Sequence, residues 1–189
     1  MNAAQAPRFD RENRTLTLID CEFDLHGDAV LTIFNDAILN TTALYEYQPR
    51  TRAFVEQWFR TKREGDFPVV GMLDDASGRL MGFASYGPFR PHAAYRYSVE
   101  HSVYVDGDFR QRGVARQLMT ALIARAEAQQ YHTLIGGIDA ANAPSIVLHE
   151  RLGFEHAGTV RQAAFKFGRW LDLAFYQRIL ATPEHPRAG

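Results

Sequence analysis

A basic, glycine-containing turn near the middle of the chain joins a strand pattern to a helix pattern. Apolar and polar residues alternate from Tyr95 to Val105, which predicts one long strand. The turn Arg110–Ala115 follows, and apolar residues then recur at helical spacing from Gly113 to Gln129. A strand that passes into a helix through a tight turn is typical of α/β proteins, so this segment constrains the fold class strongly.

The period of two divides the side chains of the predicted strand between two faces. One face carries Tyr95, Tyr97, Val99, His101, Val103 and Val105. The other carries Arg96, Ser98, Glu100, Ser102 and Tyr104.

The rest of the chain also alternates between strand and helix patterns. Asp74–Gly78, between two apolar runs, predicts a hairpin. Helices are predicted around Leu25–Ile38, around Phe54–Phe59, and at 143–152, where Gly153 ends the helix. Strands are predicted at 15–20, 69–73, 80–86, 133–138, 154–160 and 171–180. Together these elements predict a mixed α/β sheet.

Length and charge fit one domain. At about 150 residues per domain, we expect a single domain at 15–181, with a flexible extension at 1–14 and a flexible tail at 182–189. The formal net charge of −1 argues against a dedicated nucleic-acid-binding protein. No apolar run approaches the ~18 residues of a membrane span, and 1–14 contains no apolar signal segment. We therefore expect a cytoplasmic protein with no nucleic-acid or membrane partner.

Several chemistries are excluded by missing motifs. The sequence contains neither a Gly-x-x-x-x-Gly-Lys-Ser/Thr phosphate loop nor a Gly-x-Gly-x-x-Gly dinucleotide fingerprint. Cys21 is the single cysteine, which excludes an intramolecular disulfide and a cysteine-based zinc cluster. The seven histidines lack the spacing of metal ligands, so we expect no metal site.

The turn Arg110–Ala115 has the chemistry of an anion-binding site. Gly113 allows close approach of the backbone, and the start of the following helix offers unpaired N–H groups at the positive end of the helix dipole. Arg110, Arg112 and Arg116 add positive charge. The same residues are also typical of an ordinary strand–helix turn, and the turn alone does not separate the two interpretations.

Arg-x-x-Gly-x-Ala between a strand and a helix resembles the acetyl-CoA signature of the GNAT acetyltransferase superfamily. Ala115 stands where many members have glycine. Asn142–Phe154 is similar to the second half of that superfamily, and Phe34–Ala43, Val99–Val105 and Lys166–Asp172 are similar to the phosphinothricin and methionine sulfoximine acetyltransferase family. The resemblance spans about residues 16–180. It implies the GNAT fold, an α/β fold with a mixed central β-sheet and helices on both faces.

The implied reaction is attack of a neutral amine on the thioester of acetyl-CoA, with no metal. The reaction needs a base for the ammonium group, donors for the developing oxyanion and a proton for the thiolate. Glu100 matches the family's proposed base, and burial at its mid-strand position would raise the carboxyl pKa. The alternative role of Glu100 is a structural ion pair with Arg96 or Arg90.

The family's acetyl-CoA contacts correspond to ten residues of this chain. Backbone groups at Val103, Tyr104 and Val105 would pair with the pantetheine. The pyrophosphate cradle would consist of Gln111, Arg112, Gly113, Val114, Ala115 and Arg116. Asn142 resembles a pantetheine contact, but an N-cap role explains an asparagine at this position equally well.

The acceptor amine would lie on the other side of Glu100. Arg90, Pro91 and His92 match a substrate-binding segment of the family, and the Arg90 guanidinium suits an acceptor carboxylate. Glu100, His101 and Ser102 would form the pocket wall. Phe34, Tyr45 and Tyr97 are further candidates, although such aromatics more often belong to a core. Lys166–Asp172 either lies near the site or a subunit interface, or forms a plain β-turn at Gly168.

His149 occupies the position at which many superfamily members carry a tyrosine acid. His149 is therefore either the catalytic acid that protonates the leaving thiolate or a structural residue that orders the pocket. A CoA thiol with a pKa of ~8.5 can also leave without an acid.

The expected function is acetyl-CoA-dependent N-acetylation of the α-amino group of a small amino acid or analogue. Phosphinothricin, methionine sulfoximine and methionine sulfone are the analogues that the resemblance suggests. The alternatives are another acceptor (a polyamine, an antibiotic or a protein N-terminus) and a non-catalytic acyl-CoA-binding module. The resemblance also implies a homodimer.

Overall fold

A mixed β-sheet forms the centre of the computed structural model, which describes residues 8–9 and 15–187. The strands run in the order β1-β2-β3-β4-β5-β6-β8-β7. Of the pairs in this order, β5–β6 is parallel and the others are antiparallel. The strands are β1 (Arg8–Phe9), β2 (Thr15–Asp20), β3 (Val69–Asp74), β4 (Leu80–Pro88), β5 (Ser98–Val105), β6 (Thr133–Asp139), β7 (Glu155–Lys166) and β8 (Arg169–Ile179).

Four helices cover the two faces of the sheet, which confirms the predicted fold class. They are α1 (Phe23–Asn40), α2 (Arg52–Glu64), α3 (Val114–Ala128) and α4 (Ala143–Arg151). Apolar residues of α1 and α2 pack on one face with Phe83 of β4 and Tyr104 of β5. Residues of α3 and α4 pack on the other face with Val99 and Leu134. We call these the α1–α2 face and the α3–α4 face.

Two predicted details differ from the structure. The long strand begins at Ser98 rather than at Tyr95, because Tyr95 donates its backbone N–H to His92 O in a short 3₁₀ turn. Leu25 is 74% exposed, because the first turn of α1 presents the buried Gly27 to the protein interior. The apolar stripe of α1 therefore begins later than its sequence pattern suggests.

The parallel strands β5 and β6 separate beyond Glu100. Their register contains three pairs, Ser98–Thr133, Val99–Leu134 and Glu100–Ile135. From the next residue of each strand onward, β5 remains paired with β4 and β6 with β8. The sheet therefore opens into a wedge whose narrow end lies at Glu100.

The structure describes part of each of the two terminal segments that were predicted to be flexible. Of residues 1–14, the structure describes the two that form β1, and the rest of that predicted extension lies outside the described residues. Thr182 Oγ1 donates to Tyr131 O at 2.6 Å, and the Arg187 backbone N–H donates to the Tyr97 hydroxyl at 3.0 Å. The described part of the tail thus contacts the domain.

None of the helices described is long and apolar enough to cross a bilayer.

Candidate active site

Glu100 lies at the narrow end of the wedge between β5 and β6. It is opposite Gly87 of β4, and its side chain is half-buried. Burial raises the pKa of the Glu100 carboxyl, and the charge of Arg90 lowers it by a smaller amount. The site therefore holds a carboxylate that is more basic than an ordinary glutamate.

The ion pairs predicted as an alternative role for Glu100 are not formed among the described residues. Arg90 donates Nη1 to Phe89 O at 2.8 Å, and its guanidinium lies 4.0 Å from the centre of the Phe89 ring. Arg96 donates Nη2 to the Tyr97 hydroxyl at 2.7 Å. Both arginines thus have other partners, and the Glu100 carboxylate remains available to a ligand.

The α1–α2 face of β5 carries Glu100, Ser102 and Tyr104, as the period of two predicts. Ser102 is half-buried, and Tyr104 is buried against α1. Burial raises the pKa of the Tyr104 hydroxyl to about 12, so it stays protonated at neutral pH. The exposed loop with Arg90, Pro91 and His92 follows β4. The loop begins beside Glu100, because Gly87 and Pro88 at the end of β4 pair with Glu100 and Val99.

The structure separates His101 from the two residues with which it was predicted to form the acceptor wall. Its ring lies on the α3–α4 face, because neighbouring residues of a strand point in opposite directions. The ring stacks on His149, with centroids 5.1 Å apart, and meets the edge of Phe154. An acceptor next to Glu100 therefore has access to the backbone of His101 but not to its imidazole.

His149 lies in the same buried cluster and not in the groove described below. Its Nδ1 is 2.7 Å from Ser145 O, which makes Nδ1 the protonated nitrogen. Burial lowers the pKa of His149, and its Nε2 has no hydrogen-bond partner among the described residues. This neutral, enclosed imidazole favours the structural interpretation of His149 over the acid.

A single groove collects all ten residues predicted to contact acetyl-CoA. It has a volume of about 1040 Å³ and lies at the open end of the wedge. The ten residues are Val103, Tyr104, Val105, Gln111, Arg112, Gly113, Val114, Ala115, Arg116 and Asn142. Ala37, Thr41 and Ala43, from the end of α1 and the loop after it, form another part of the wall. Sequence analysis missed these three, since nothing in the sequence pairs them with a turn that lies about 70 residues away.

The cradle at the start of α3 has the backbone conformation of an anion site. Gly113 (φ 86°) and Gln111 (φ 62°) are both left-handed, and turns of this kind form concave arrays of N–H groups. No side chain caps the first turn of α3. A Cβ at Gly113 would meet nothing within 4 Å, so it would project into open space. The first N–H groups of α3 are thus accessible to an anionic ligand.

Arg110 and Asn142, two predicted contributors to the groove, each have a partner within the protein. Arg110 does not supply free charge to the groove, because its Nη2 is 2.6 Å from Asp36 Oδ2 of α1. Asn142 does cap α4, since its Oδ1 accepts from the backbone N–H of Ser145 at 3.2 Å. It also lines the groove, so the N-cap and ligand-contact interpretations hold together.

The segment Lys166–Asp172 combines both of its predicted alternatives. A tight turn at Phe167–Gly168, both with positive φ, joins β7 to β8. The buried Lys166 Nζ donates to the carbonyls of Ile38, Thr41 and Leu44 at 2.6, 2.8 and 2.6 Å. The hairpin thereby holds the end of α1, which forms part of the groove wall.

None of the three aromatic candidates, all of which the structure describes, lines the groove. Phe34 is buried and packs edge-on against Trp58 and Phe83, so it belongs to the core. Tyr97 contacts Arg96 and the end of the chain. The Tyr45 hydroxyl is buried without a hydrogen-bond partner among the described residues, and burial raises its pKa.

A second cavity, of about 600 Å³, lies near the ends of α2 and α3 and contains Lys62 and Arg125 in its lining. None of the predicted site residues, all of which the structure describes, lines it. Among the described residues, no group of three or more His, Cys, Asp or Glu side chains is arranged to hold a metal ion.

Comparison with known proteins agrees with this geometry. Residues 30–175 match the family described as an acetyltransferase (GNAT) domain. The L-methionine sulfoximine/L-methionine sulfone acetyltransferase of Pseudomonas aeruginosa is 47% identical over 154 residues, which cover 82% of this chain and 88% of that protein.

Solved structures show the same fold. An N-acetyltransferase from Staphylococcus aureus Mu50 has a TM-score of 0.84 and 44% identity, covering 87% of this chain and 98% of that one. A GNAT phosphinothricin acetyltransferase from Sinorhizobium meliloti, solved in complex with acetyl-CoA, has a TM-score of 0.86 and 34% identity, covering 92% and 93%. With the family match over residues 30–175 and a relative that is 47% identical over most of the chain, the chain belongs to the GNAT acetyltransferase family.

Proposed function

We propose that this N-acetyltransferase transfers the acetyl group of acetyl-CoA to the α-amino group of a small amino acid or analogue. Acceptors of the phosphinothricin, methionine sulfoximine and methionine sulfone type fit best, because relatives named for them share up to 47% of their residues with this chain. The single observation that carries the proposal is the position of Glu100, a carboxylate with no ion-pair partner among the described residues, at the point where β5 and β6 separate.

Glu100 acts as the general base. Its raised pKa brings the carboxylate closer to the pKa of an amino acid ammonium group, which makes proton transfer more favourable. After it accepts the proton, the neutral amine attacks the acetyl carbonyl carbon, and the C–S bond breaks in the collapse of the tetrahedral adduct. The acetyl group moves to nitrogen, the sulfur leaves as a thiolate, and the nitrogen releases its surplus proton to water as the amide forms.

The open edge of β5 provides the backbone contacts for the pantetheine arm. Beyond Glu100, the side of β5 that faces β6 has no β-ladder in the described structure. Unpaired N–H and C=O groups of a strand edge bind an extended ligand as an added strand would. The backbones of Val103, Tyr104 and Val105 lie along this edge and line the groove.

The cradle and the loop after β4 hold the two charged ends of the substrates. Residues Gln111–Arg116 bind the pyrophosphate through the first N–H groups of α3 and the exposed Arg116. Arg90 binds the acceptor carboxylate, because it belongs to an exposed loop that begins beside Glu100. Pro91 and His92 continue this loop.

The departing thiolate needs no protein acid in this scheme. His149 is enclosed and neutral, and a thiol with a pKa near ~8.5 is a competent leaving group. His149 therefore acts as a positioning residue that supports β5 through His101.

An acceptor screen tests the proposal. Release of free CoA from acetyl-CoA is measured with methionine sulfone, methionine sulfoximine, phosphinothricin, ordinary amino acids, spermidine and a peptide. We expect the highest kcat/KM among the first three. Preferential turnover of the polyamine or the peptide would contradict the acceptor class, and binding of acetyl-CoA without turnover of any amine would favour a binding module.

We further propose a cytoplasmic homodimer. Val160, Phe165, Phe167, Trp170 and Ile179 of the β7–β8 hairpin are all about half exposed, and β7 is an edge strand. Exposed apolar residues next to an open strand edge are typical of a protein interface. Light scattering of the purified protein should give a mass of two chains, and the double substitution of Phe165 and Trp170 by Ser should reduce it to one.

A further inference from the structure

Gly137 is the only residue of β6 that is exposed, and it lies two residues beyond Ile135, the last residue of β6 that pairs with β5. The six other residues of this strand are buried or half-buried. Solvent therefore reaches the backbone of β6 at this position, inside the wedge between β5 and β6. Glycine at such a position often marks the close approach of a ligand or of another backbone.

The exposed Gly137 lies beside the Glu100 carboxylate. A Cβ built on Gly137 would lie 3.5 Å from Glu100 Oε1, 3.2 Å from Leu173 Cδ1 and 3.8 Å from Phe175 Cε1. Leu173 and Phe175 are half-buried residues of β8, the neighbouring strand. They form an apolar ledge beside the carboxylate.

The preceding residue, Gly136, differs from Gly137 because another side chain occupies its side-chain position. A Cβ there would lie 2.6 Å from His101 Nε2, so the imidazole already occupies that space on the α3–α4 face. Gly136 is thus explained by packing within the protein. Packing restricts Gly137 less severely, because its nearest neighbour is the end of the Leu173 side chain at 3.2 Å and the residue is exposed on the face of Glu100.

We propose that Gly137 is a specificity-determining residue, which leaves room for the side chain of the acceptor amino acid. A base must lie within about 2.6–3.2 Å of the amine that it deprotonates. The α-carbon is one bond from that amine, so the acceptor side chain begins next to the Glu100 carboxylate, where the space above Gly137 lies.

The ledge indicates the class of acceptor. An unbranched, apolar side-chain stem packs on Leu173 and Phe175, while its polar end extends beyond them. This inference rests on the proposed function and adds the residue that limits acceptor size. Gly137 limits the size of the acceptor side chain and does not affect the binding of acetyl-CoA.

The variants Gly137→Ala and Gly137→Val test the proposal. Gly137 does not have a positive φ, so both residues fit its backbone conformation. The nearest contact is the end of the flexible Leu173 side chain, which allows the alanine variant to fold. Gly107→Ala is the matched control, because a Cβ there meets nothing within 4 Å and its φ is not positive either.

The measurements are kcat/KM for methionine sulfone and the Kd of acetyl-CoA by calorimetry. We expect Gly137→Ala to lower kcat/KM by about 10-fold or more, since one extra methyl group in a fitted pocket has an effect of this size. Gly137→Val should lower it further. The Kd of acetyl-CoA should stay at the wild-type value in both variants, and Gly107→Ala should match the wild type throughout.

Wild-type kcat/KM in Gly137→Ala, or a loss matched by weaker acetyl-CoA binding, would overturn the role of Gly137 while leaving the proposed function in place. A wild-type protein that acetylates no amino acid in the panel would instead overturn the proposed function, and the role of Gly137 with it.

Discussion

His149 of α4 stacks on His101 of β5, with ring centroids 5.1 Å apart and planes inclined by 18°. Both rings are buried, and burial lowers both pKa values, so the pair is uncharged at neutral pH. His101 directly follows Glu100 in β5. The stack thus supports, from the α3–α4 face, the strand that presents the base on the other face.

His149→Phe should leave the shape of the pH–rate profile unchanged. Phenylalanine retains an aromatic ring against His101 and Phe154 but removes the contact with Ser145 O. We expect a lower melting temperature and a loss in kcat of less than about 10-fold, below the usual effect of removing a general acid. A larger loss together with a changed alkaline limb would identify His149 as the acid.

Glu100→Gln should fold, bind acetyl-CoA and lose about 10²–10⁴-fold in kcat, the usual effect of removing a general base. Initial rates at saturating acetyl-CoA measure the loss. Wild-type turnover in this variant between pH 6 and 9 would exclude Glu100 as the base.

The difference in stability between Glu100→Gln and the wild type should depend on pH. Because burial raises the pKa of Glu100 in the folded state, the unfolded carboxyl loses its proton first as the pH rises, and this lowers the stability of the wild type. Glu100→Gln should therefore be more stable than the wild type at pH 8, and the difference should vanish at low pH, where Glu100 is protonated in both states. Thermal melts at the two pH values measure it, and a destabilised variant at pH 8 would favour a structural role.

Arg90→Met should shift the acid limb of the kcat/KM profile to higher pH. The positive charge of Arg90 lowers the pKa of Glu100, so its removal lets that pKa rise further. The KM for the amino acid should also increase much more than the KM for acetyl-CoA. Esterifying the acceptor should have the same effect on the wild type and add little in the variant, whereas additive losses would count against a direct contact.

Gly113→Val should abolish stabilisation by acetyl-CoA. In the wild type, ligand at ~100 times its Kd should add about 2.7 kcal/mol to the free energy of unfolding. The valine side chain would project into the cradle, where acetyl-CoA is expected to contact the protein backbone. Melting curves with and without acetyl-CoA measure the difference.

Gly78→Val is the matched control for this variant. Gly78 has a φ of 68° and, like Gly113, nothing within 4 Å of its Cβ position, but it lies in the β3–β4 turn. It should show similar backbone strain and keep the full ligand-induced shift. Equal shifts in both variants would exclude the cradle as the binding site.

The sequence predicted local features of the site better than the relations between distant segments. The period of two placed Glu100 and Ser102 on one face and His101 on the other, and the structure confirms this. His101 was assigned to the acceptor wall because it lies between Glu100 and Ser102 in one motif. That assignment ignored the alternation of side chains between the two faces of a strand. The groove-lining residues around the turn Arg110–Ala115 were also predicted as one group.

Contacts between segments that are distant in the sequence could not be predicted in this way. The pairing of Arg110 with Asp36 depends on how α1 packs beside the cradle, and the separation of β5 from β6 depends on strand register. Gly137 is one of two adjacent glycines in a short apolar run, and the sequence does not show which of them has space above it. The three carbonyls that accept from Lys166 belong to a segment far away in the chain.

The Lys166–Ile38 contact, which spans 128 residues, has a consequence for the order of folding during synthesis. The end of α1 leaves the ribosome early. Lys166, whose ammonium group binds the carbonyls there, is synthesised only when most of the chain already exists. Contacts of such long range form slowly, because a large loop must close first. A nascent chain that stops before β8 therefore contains Glu100 and the whole cradle but lacks the hairpin that holds one wall of the groove. We infer that acetyl-CoA binding appears late, only after nearly all of the polypeptide has been released.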